Sequence, residues 1–256
     1  MESRVHQQQE ERENMVPLDG PFTFACNPSV PCFKECCRDL DLILTPYDIL
    51  RLRQNLGLSS DAFVEKYVVW DFSHDMGFPT AKLKMSDDEK KLCPFLGEAG
   101  CEVYEDRPSA CRIYPLARAT QKHARFERTT DAYFLVRESH CRGFEQGKEW
   151  TIEEWIKDQG LEIYFDMNDL WTAVVCSPFK EKRGKLSDRD LKAVLMAAYN
   201  LEMFKQFVFK SSLLDRIELD SEKVDIIKRD DAELLKFGFD WLRFALFGES
   251  TIKLSN

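Results

Sequence analysis

The chain has 256 residues and a formal net charge of −9, with 36 Lys and Arg against 45 Asp and Glu. Hydrophobic residues make up 44% and charged residues 32%, the balance of a globular protein with a real core. The acidic total and the lack of a basic run disfavour a nucleic-acid partner. No stretch is long and apolar enough to span a membrane, and no apolar secretory segment follows Met1, so we expect a cytoplasmic protein.

The first elements in chain order are a tail and two helices. Residues 1–20 are polar and aperiodic, which predicts a disordered tail. Thr45, followed by Pro46 and Asp48, has the pattern of a helix start with a capping box, and Gly57 ends the apolar periodicity that follows. A second short helix is expected to begin at Ser59 or Ser60.

Weak alternation predicts strands over 78–86, 126–130 and 132–137. Between them, Asp106 before Arg107-Pro108 resembles a helix cap, so we expect Cys111 on a short helix that ends before Pro115.

Helical periodicity dominates after about residue 145. Thr151 and Ser187 each begin a capping box, and a last helix is predicted from Asp231 to Phe247. Its aromatic residues are Phe237, Phe239, Trp241, Phe244 and Phe247; these favour core or dimer packing, and a pocket lining is the alternative.

The sequence therefore predicts an α+β protein that is mostly helical. Residues 21–145 form an irregular cysteine-rich domain with short strands, and residues 146–256 form a helical segment packed on it.

Eight of the nine cysteines fall within the first 141 residues, at a density typical of metal ligation. The spacing is C-x5-C-x3-C-C, then C-x7-C-x9-C, then one more. The candidate ligands are Cys26, Cys32, Cys36, Cys37, Cys93, Cys101, Cys111 and Cys141. Cytoplasmic thiols stay reduced, so a disulfide framework is the less favoured alternative. Cys176 has the context of an ordinary buried thiol.

The adjacent Cys36 and Cys37 point in different directions on any regular backbone, so one tetrahedral centre seldom takes both. Eight thiolates then divide into two groups of four that share the vicinal pair, and one centre plus unrelated thiols is the alternative. Cations lie beside most of the cysteines and could lower thiol pKa values: Lys34, Arg38, Lys91, Arg107, Arg112 and Arg142. His140 could replace a cysteine as a ligand.

The spacing does not identify the metal. The chain has neither the C-x2-C pairs of zinc ribbons nor the C-x2-C-x2-C run of bacterial ferredoxins. Long, irregular gaps are common where several loops converge on a cluster.

The segment Cys32-Phe33-Lys34-Glu35-Cys36-Cys37 and the following ILTPYDILRL resemble the YkgJ-like cysteine-cluster family. The resemblance continues in Cys93-Pro94-Phe95-Leu96, in Cys101-Glu102-Val103-Tyr104 and in RPSACRIYP, residues 107–115, and it covers roughly residues 22–145. It implies zinc or iron chelation by the matching cysteines, often described as iron–sulfur.

Three functional hypotheses follow. The favoured one is an iron–sulfur protein with two clusters, such as 4Fe–4S cubanes, that acts in electron transfer with an unknown protein or redox partner. The second is an enzyme that modifies a protein, since a flagellin lysine methylase is related to the family, although no nucleotide-binding glycine motif supports it. The third is a zinc-stabilised interaction module. Catalysis and oligomeric state stay open.

Overall fold

The computed structural model describes residues 15–72, 77–123, 128–179 and 184–255. The first 14 residues of the expected tail and two residues of the strand expected over 126–130 lie outside these ranges. The predicted α+β class is confirmed. The strands are β1 (Met15–Pro17), β2 (Phe22–Phe24), β3 (Ile43–Leu44), β4 (Val68–Asp71), β5 (Thr80–Leu83), β6 (Leu116–His123), β7 (Arg128–Val136) and β8 (Lys148–Trp150).

The strands form short antiparallel sheets in the orders β1-β7-β6, β2-β8 and β3-β5-β4. Strand β5 lies within the segment 78–86 where the alternation predicted one. Strand β1 lies inside the expected tail, because Met15–Pro17 pairs with Phe134–Val136 of β7. Ordered structure therefore begins before Pro21.

The helices are α1 (Pro46–Asn55), α2 (Ser60–Tyr67), α3 (Ser109–Ile113), α4 (Ile152–Asp158), α5 (Glu162–Val175), α6 (Asp188–Val194), α7 (Leu201–Lys210), α8 (Leu213–Arg216), α9 (Ser221–Arg229) and α10 (Asp231–Phe247). Single 3-10 turns lie at Tyr104–Asp106 and Gly143–Glu145. No helix within the described ranges is long and apolar enough to cross a membrane.

Capping patterns in the sequence predicted most of the helix starts correctly. The predicted capping boxes at Thr45, Thr151 and Ser187 all form. The cap predicted at Asp106 is wrong: α3 begins at Ser109, and the Asp106 carboxylate instead accepts hydrogen bonds from Arg51. The Asp48 carboxylate of α1 accepts a hydrogen bond from the first residue of α3 instead. The local sequence around α3 does not show this contact.

Most apolar side chains belong to one large hydrophobic cluster that joins the two halves of the chain. Leu44 and Leu52 of the first half and Phe204 and Leu234 of the second half are all buried within it. A second, smaller cluster contains Phe22, Phe24, Leu116, Leu135 and Trp155. The cysteine-rich segments lie beside both clusters.

Charged side chains also connect the halves. Arg53 of α1 is buried, and its guanidinium binds Glu202 at 3.1 Å and Asp231 at 2.6 Å. Arg118 of β6 binds both carboxylate oxygens of Asp169 in α5 at 2.8 Å each. Removing one partner of a buried pair leaves an uncompensated charge, so these contacts restrict how the helical segment packs.

Helix α6 ends in an irregular turn. It changes at Leu195 into a single π-helical turn, Leu195–Tyr199. Gly238 of α10 packs against this turn so closely that a Cβ there would lie 2.6 Å from the Ala197 carbonyl oxygen. Only glycine allows this approach of the two backbones.

We expect Gly238→Ala to lower the free energy of unfolding by about 1–2 kcal/mol. The methyl group gains about 1 kcal/mol of helix propensity, but the clash with a backbone oxygen costs more. Urea denaturation measures the difference. Gly20→Ala is the control, because a Cβ at Gly20 meets no atom within 4 Å. Equal stability of the two variants would show that the π-turn moves aside freely.

Candidate metal centre

Backbone hydrogen bonds clamp the first cysteine loop onto the second. The Cys93 amide donates to the Cys37 carbonyl at 2.9 Å, and the Asp39 amide donates to the Lys91 carbonyl at 2.9 Å. These bonds flank an antiparallel bridge between Arg38 and Leu92. The vicinal pair is therefore held beside Cys93, although more than fifty residues separate them in the chain.

A tight hairpin brings Cys101 back to Cys93. The Leu96 amide donates to the Cys93 carbonyl at 3.1 Å, and Leu96 forms an antiparallel bridge with Cys101. The Lys34 ammonium group donates to the Glu98 carbonyl at 2.8 Å and so fastens the hairpin to the first loop. Cys93 and Cys101 both pack against the large hydrophobic cluster.

Hydrogen bonds also bring the segment that carries Cys26 and Cys32 beside the segment that carries Cys141. The Ala25 amide donates to the Gly143 carbonyl at 2.9 Å, which sets Cys26 beside the segment that carries Cys141. The Arg142 amide donates to the Cys32 sulfur at 3.0 Å. Cys141 packs against the smaller hydrophobic cluster.

Cys111 lies on α3, as predicted, and a carboxylate on another helix positions α3. Asp48 of α1 is completely buried and accepts hydrogen bonds from the Ser109 amide at 2.7 Å and from the Thr45 amide at 2.8 Å. One side chain thus closes the capping box of α1 and binds the first residue of α3. The sequence revealed the first role of Asp48 and not the second.

Electrostatic interactions divide the thiols into two sets with Cys36 between them. Cys26 interacts with Cys32 and Cys141, and Cys111 interacts with Cys93 and Cys101. Cys36 interacts with Cys26, Cys93 and Cys111, and its strongest partner is the neighbouring Cys37 thiol.

Nearby cations were expected to lower the thiol pKa values, but the net shift in pKa is upward for Cys26, Cys36, Cys93, Cys101, Cys111 and Cys141. Burial raises the pKa of Cys26 and of Cys93 to about 11 each, and that of Cys111 to about 12, although the Cys111 side chain keeps access to solvent. The hydrogen bond with Cys37, followed by burial, raises the pKa of Cys36 far above its usual range. Burial also raises the pKa values of Cys101 and Cys141.

Most of the neighbouring cations are engaged elsewhere. Arg38 pairs with Glu35, Lys91 with Asp39 and Arg142 with Glu145. Arg112 donates to the carbonyls of Arg107, Gln159 and Glu105. Arg107 also donates hydrogen bonds, to the Tyr104 carbonyl and the Gln159 side chain, and it still lowers the pKa of Cys26 and of Cys101, although burial outweighs it at both.

Two further polar side chains, Tyr114 and His140, lie close to the cysteines in the sequence. The Tyr114 hydroxyl is buried beside the Cys141 sulfur without the geometry of a full hydrogen bond, and burial raises its pKa. No motif in the sequence predicted that Tyr114 lies beside Cys141. His140 instead pairs with Glu138 at 3.2 Å, and His74 lies outside the described residues.

All nine cysteines are free thiols, which excludes the disulfide framework in this structure. Cys176 is exposed, so its interpretation as a buried thiol is wrong. Across the described ranges, no three His, Cys, Asp or Glu side chains stand close enough together to hold a metal ion. The donor set suits zinc or an iron–sulfur cluster.

The fold and the site define a cysteine-cluster protein whose thiols converge from four separate segments. Residues 25–146 match the family model CxxCxxCC, described as "Putative zinc- or iron-chelating domain". This match to the cysteine-rich part of the chain confirms the resemblance. The spacing in the family's name differs from the C-x5-C-x3-C-C found here. Searches among curated proteins and among solved structures found no match.

We expect Asp48→Ala to destabilise the protein by about 3 kcal/mol, because the buried amides of Ser109 and Thr45 lose their acceptor. Asp190→Ala is the matched control: Asp190 has the same position in an exposed capping box, where the loss is about 1 kcal/mol. Urea unfolding of chelator-treated protein measures both. If the two losses were equal, Asp48 would be an ordinary cap without a role in holding α3.

Proposed function

We propose that the eight clustered cysteines bind two iron–sulfur centres and that the protein transfers electrons to or from a partner. The observation that carries this proposal is the division of the thiols around the vicinal pair. Cys26, Cys32 and Cys141 would ligate one centre, and Cys93, Cys101 and Cys111 the other. Cys36 and Cys37 would each supply the fourth thiolate to one centre.

The charge balance supports metal binding. Neighbouring thiols add to the larger effect of burial on the pKa values of Cys26 and Cys111, so ionising several of these thiols together without a counter-charge is unfavourable. A metal ion or cluster supplies that positive charge and displaces the thiol protons as it binds. The family description, zinc or iron chelation, agrees with this chemistry.

The arrangement of the ligands favours an iron–sulfur centre over a zinc ribbon. Ribbon sites take two cysteines from one tight C-x2-C turn, whereas the hairpin here separates Cys93 from Cys101 by seven residues. The first proposed centre also draws its ligands from two segments of the chain, and the second draws them from three.

Structural zinc is the second candidate. Cys93 and Cys101 pack on the large hydrophobic cluster and Cys141 packs on the small one. Ions at the proposed centres would therefore brace the region where the two clusters meet, which is a stabilising role that zinc performs without redox chemistry.

We expect protein purified without oxygen to be coloured and to contain iron and sulfide. Cys36→Ser should lose about half of the visible absorption, because it removes a ligand from one of the two centres, whereas Cys176→Ser should keep it, because Cys176 lies outside both sets. Metal analysis and absorption spectroscopy measure this. Colourless protein with stoichiometric zinc would exclude the electron-transfer proposal and leave the structural one.

If the protein holds two centres, removing one ligand should release only part of the bound metal. Cys111→Ser and Cys141→Ser should each keep about half of the wild-type metal, because each removes a ligand from only one four-cysteine centre. The double variant should keep almost none. Complete loss in either single variant would indicate a single shared centre.

A further inference from the structure

A groove of about 620 Å³ opens on the helical half of the molecule. It lies between α2, β4, α6 with its π-turn, α7 and α10, and no cysteine lines it. This volume is in the range of small-molecule sites, about 300–1,000 Å³. Single π-turns are frequent at functional sites, and this one contributes Leu195, Met196 and Tyr199 to the lining.

Aromatic rings make the apolar walls of the groove. Trp70 meets Tyr199 edge-on, with ring centroids 5.0 Å apart, and Phe207 meets Trp241 in the same way at 5.1 Å. Trp241 is one of the α10 aromatics, so for this residue the alternative of a pocket lining is correct. At the mouth, Met203 is 53% exposed, and its flexible thioether can adapt to different apolar groups.

The charged side chains that line the groove are positive on balance, two cations against Asp61. Arg189 and Lys192 stand three residues apart on α6, and neither pairs with an acidic group anywhere in the described ranges. The acidic lining residue, Asp61, accepts a hydrogen bond from the Asn200 side-chain amide at 2.5 Å. Asp190, beside Arg189 in sequence, is occupied by the capping box of α6.

We propose that this groove binds a small organic acid with an alkyl or aryl body. The body would lie on the rings of Trp70, Phe207 and Trp241, and its carboxylate would lie against Arg189 and Lys192. Apolar walls with a few polar groups that fix orientation are the usual composition of such sites. The proposal is independent of which metal the cysteines bind.

Decanoate is the probe, titrated calorimetrically into the full-length protein as purified. We expect one saturable site per chain. The double variant Arg189→Gln/Lys192→Gln should bind roughly five- to tenfold more weakly, because two charge-assisted contacts are lost. The charge-matched control Lys157→Gln/Lys210→Gln should bind like wild type, since both lysines are exposed and outside the groove.

Two further measurements separate the apolar part from the charged part. 1-Decanol, the uncharged analogue, should bind several-fold more weakly than decanoate to the wild type. Met203→Glu places a negative charge at the mouth and should abolish decanoate binding while circular dichroism stays unchanged. Absence of saturable binding, equal binding of acid and alcohol, or wild-type affinity in the Arg189→Gln/Lys192→Gln variant would each overturn the proposal.

Discussion

Helix α1 carries two buried charges, and the rest of the structure is arranged to satisfy them. Asp48 near its start is inaccessible to solvent, and Arg53 near its end is 6% exposed. A buried charge without partners costs several kcal/mol, so each must be supplied with hydrogen bonds. Asp48 obtains them from α3, which carries Cys111. Arg53 obtains them from Glu202 in α7 and Asp231 in α10. The helical half and one cysteine helix are thereby oriented by opposite ends of the same short helix.

The cysteine loops lie where the two hydrophobic clusters meet. Neither loop has much regular structure, and both are held mainly by backbone bonds such as that from Cys93 to Cys37. Lys34 and Lys91 adopt positive φ angles of 75° and 45° in these loops. Such conformations are unfavourable for residues with a Cβ and persist where the surroundings enforce them. The loops are therefore shaped by tertiary contacts more than by local conformational preference.

Features that depend on neighbouring residues were predicted from the sequence more often than features that depend on contacts between distant segments. The helix starts at Thr45, Thr151 and Ser187 could be predicted because each cap depends on residues three positions apart. Metal ligation by the eight cysteines stays a prediction. The contacts between their segments could not be predicted, because they depend on the pairing of Arg38 with Leu92 and of Ala25 with Gly143. Asp106 and Cys176 were misassigned for the same reason: their surroundings come from elsewhere in the chain. The π-turn depends on contact with Gly238, some forty residues further on, and periodicity alone does not encode it.

One buried charge is shared by the cysteine domain and the groove. The Asp48 carboxylate raises the pKa of Cys111, and it also adds to the effect of burial on the pKa of Tyr199, which lines the groove. Burial likewise raises the pKa of Asp48 itself. A low-dielectric interior transmits such interactions over longer distances than water does. The same carboxylate that positions the Cys111 helix therefore contributes to the potential at the aromatic lining of the groove, so the two sites lie in one electrostatic environment although they share no lining residue.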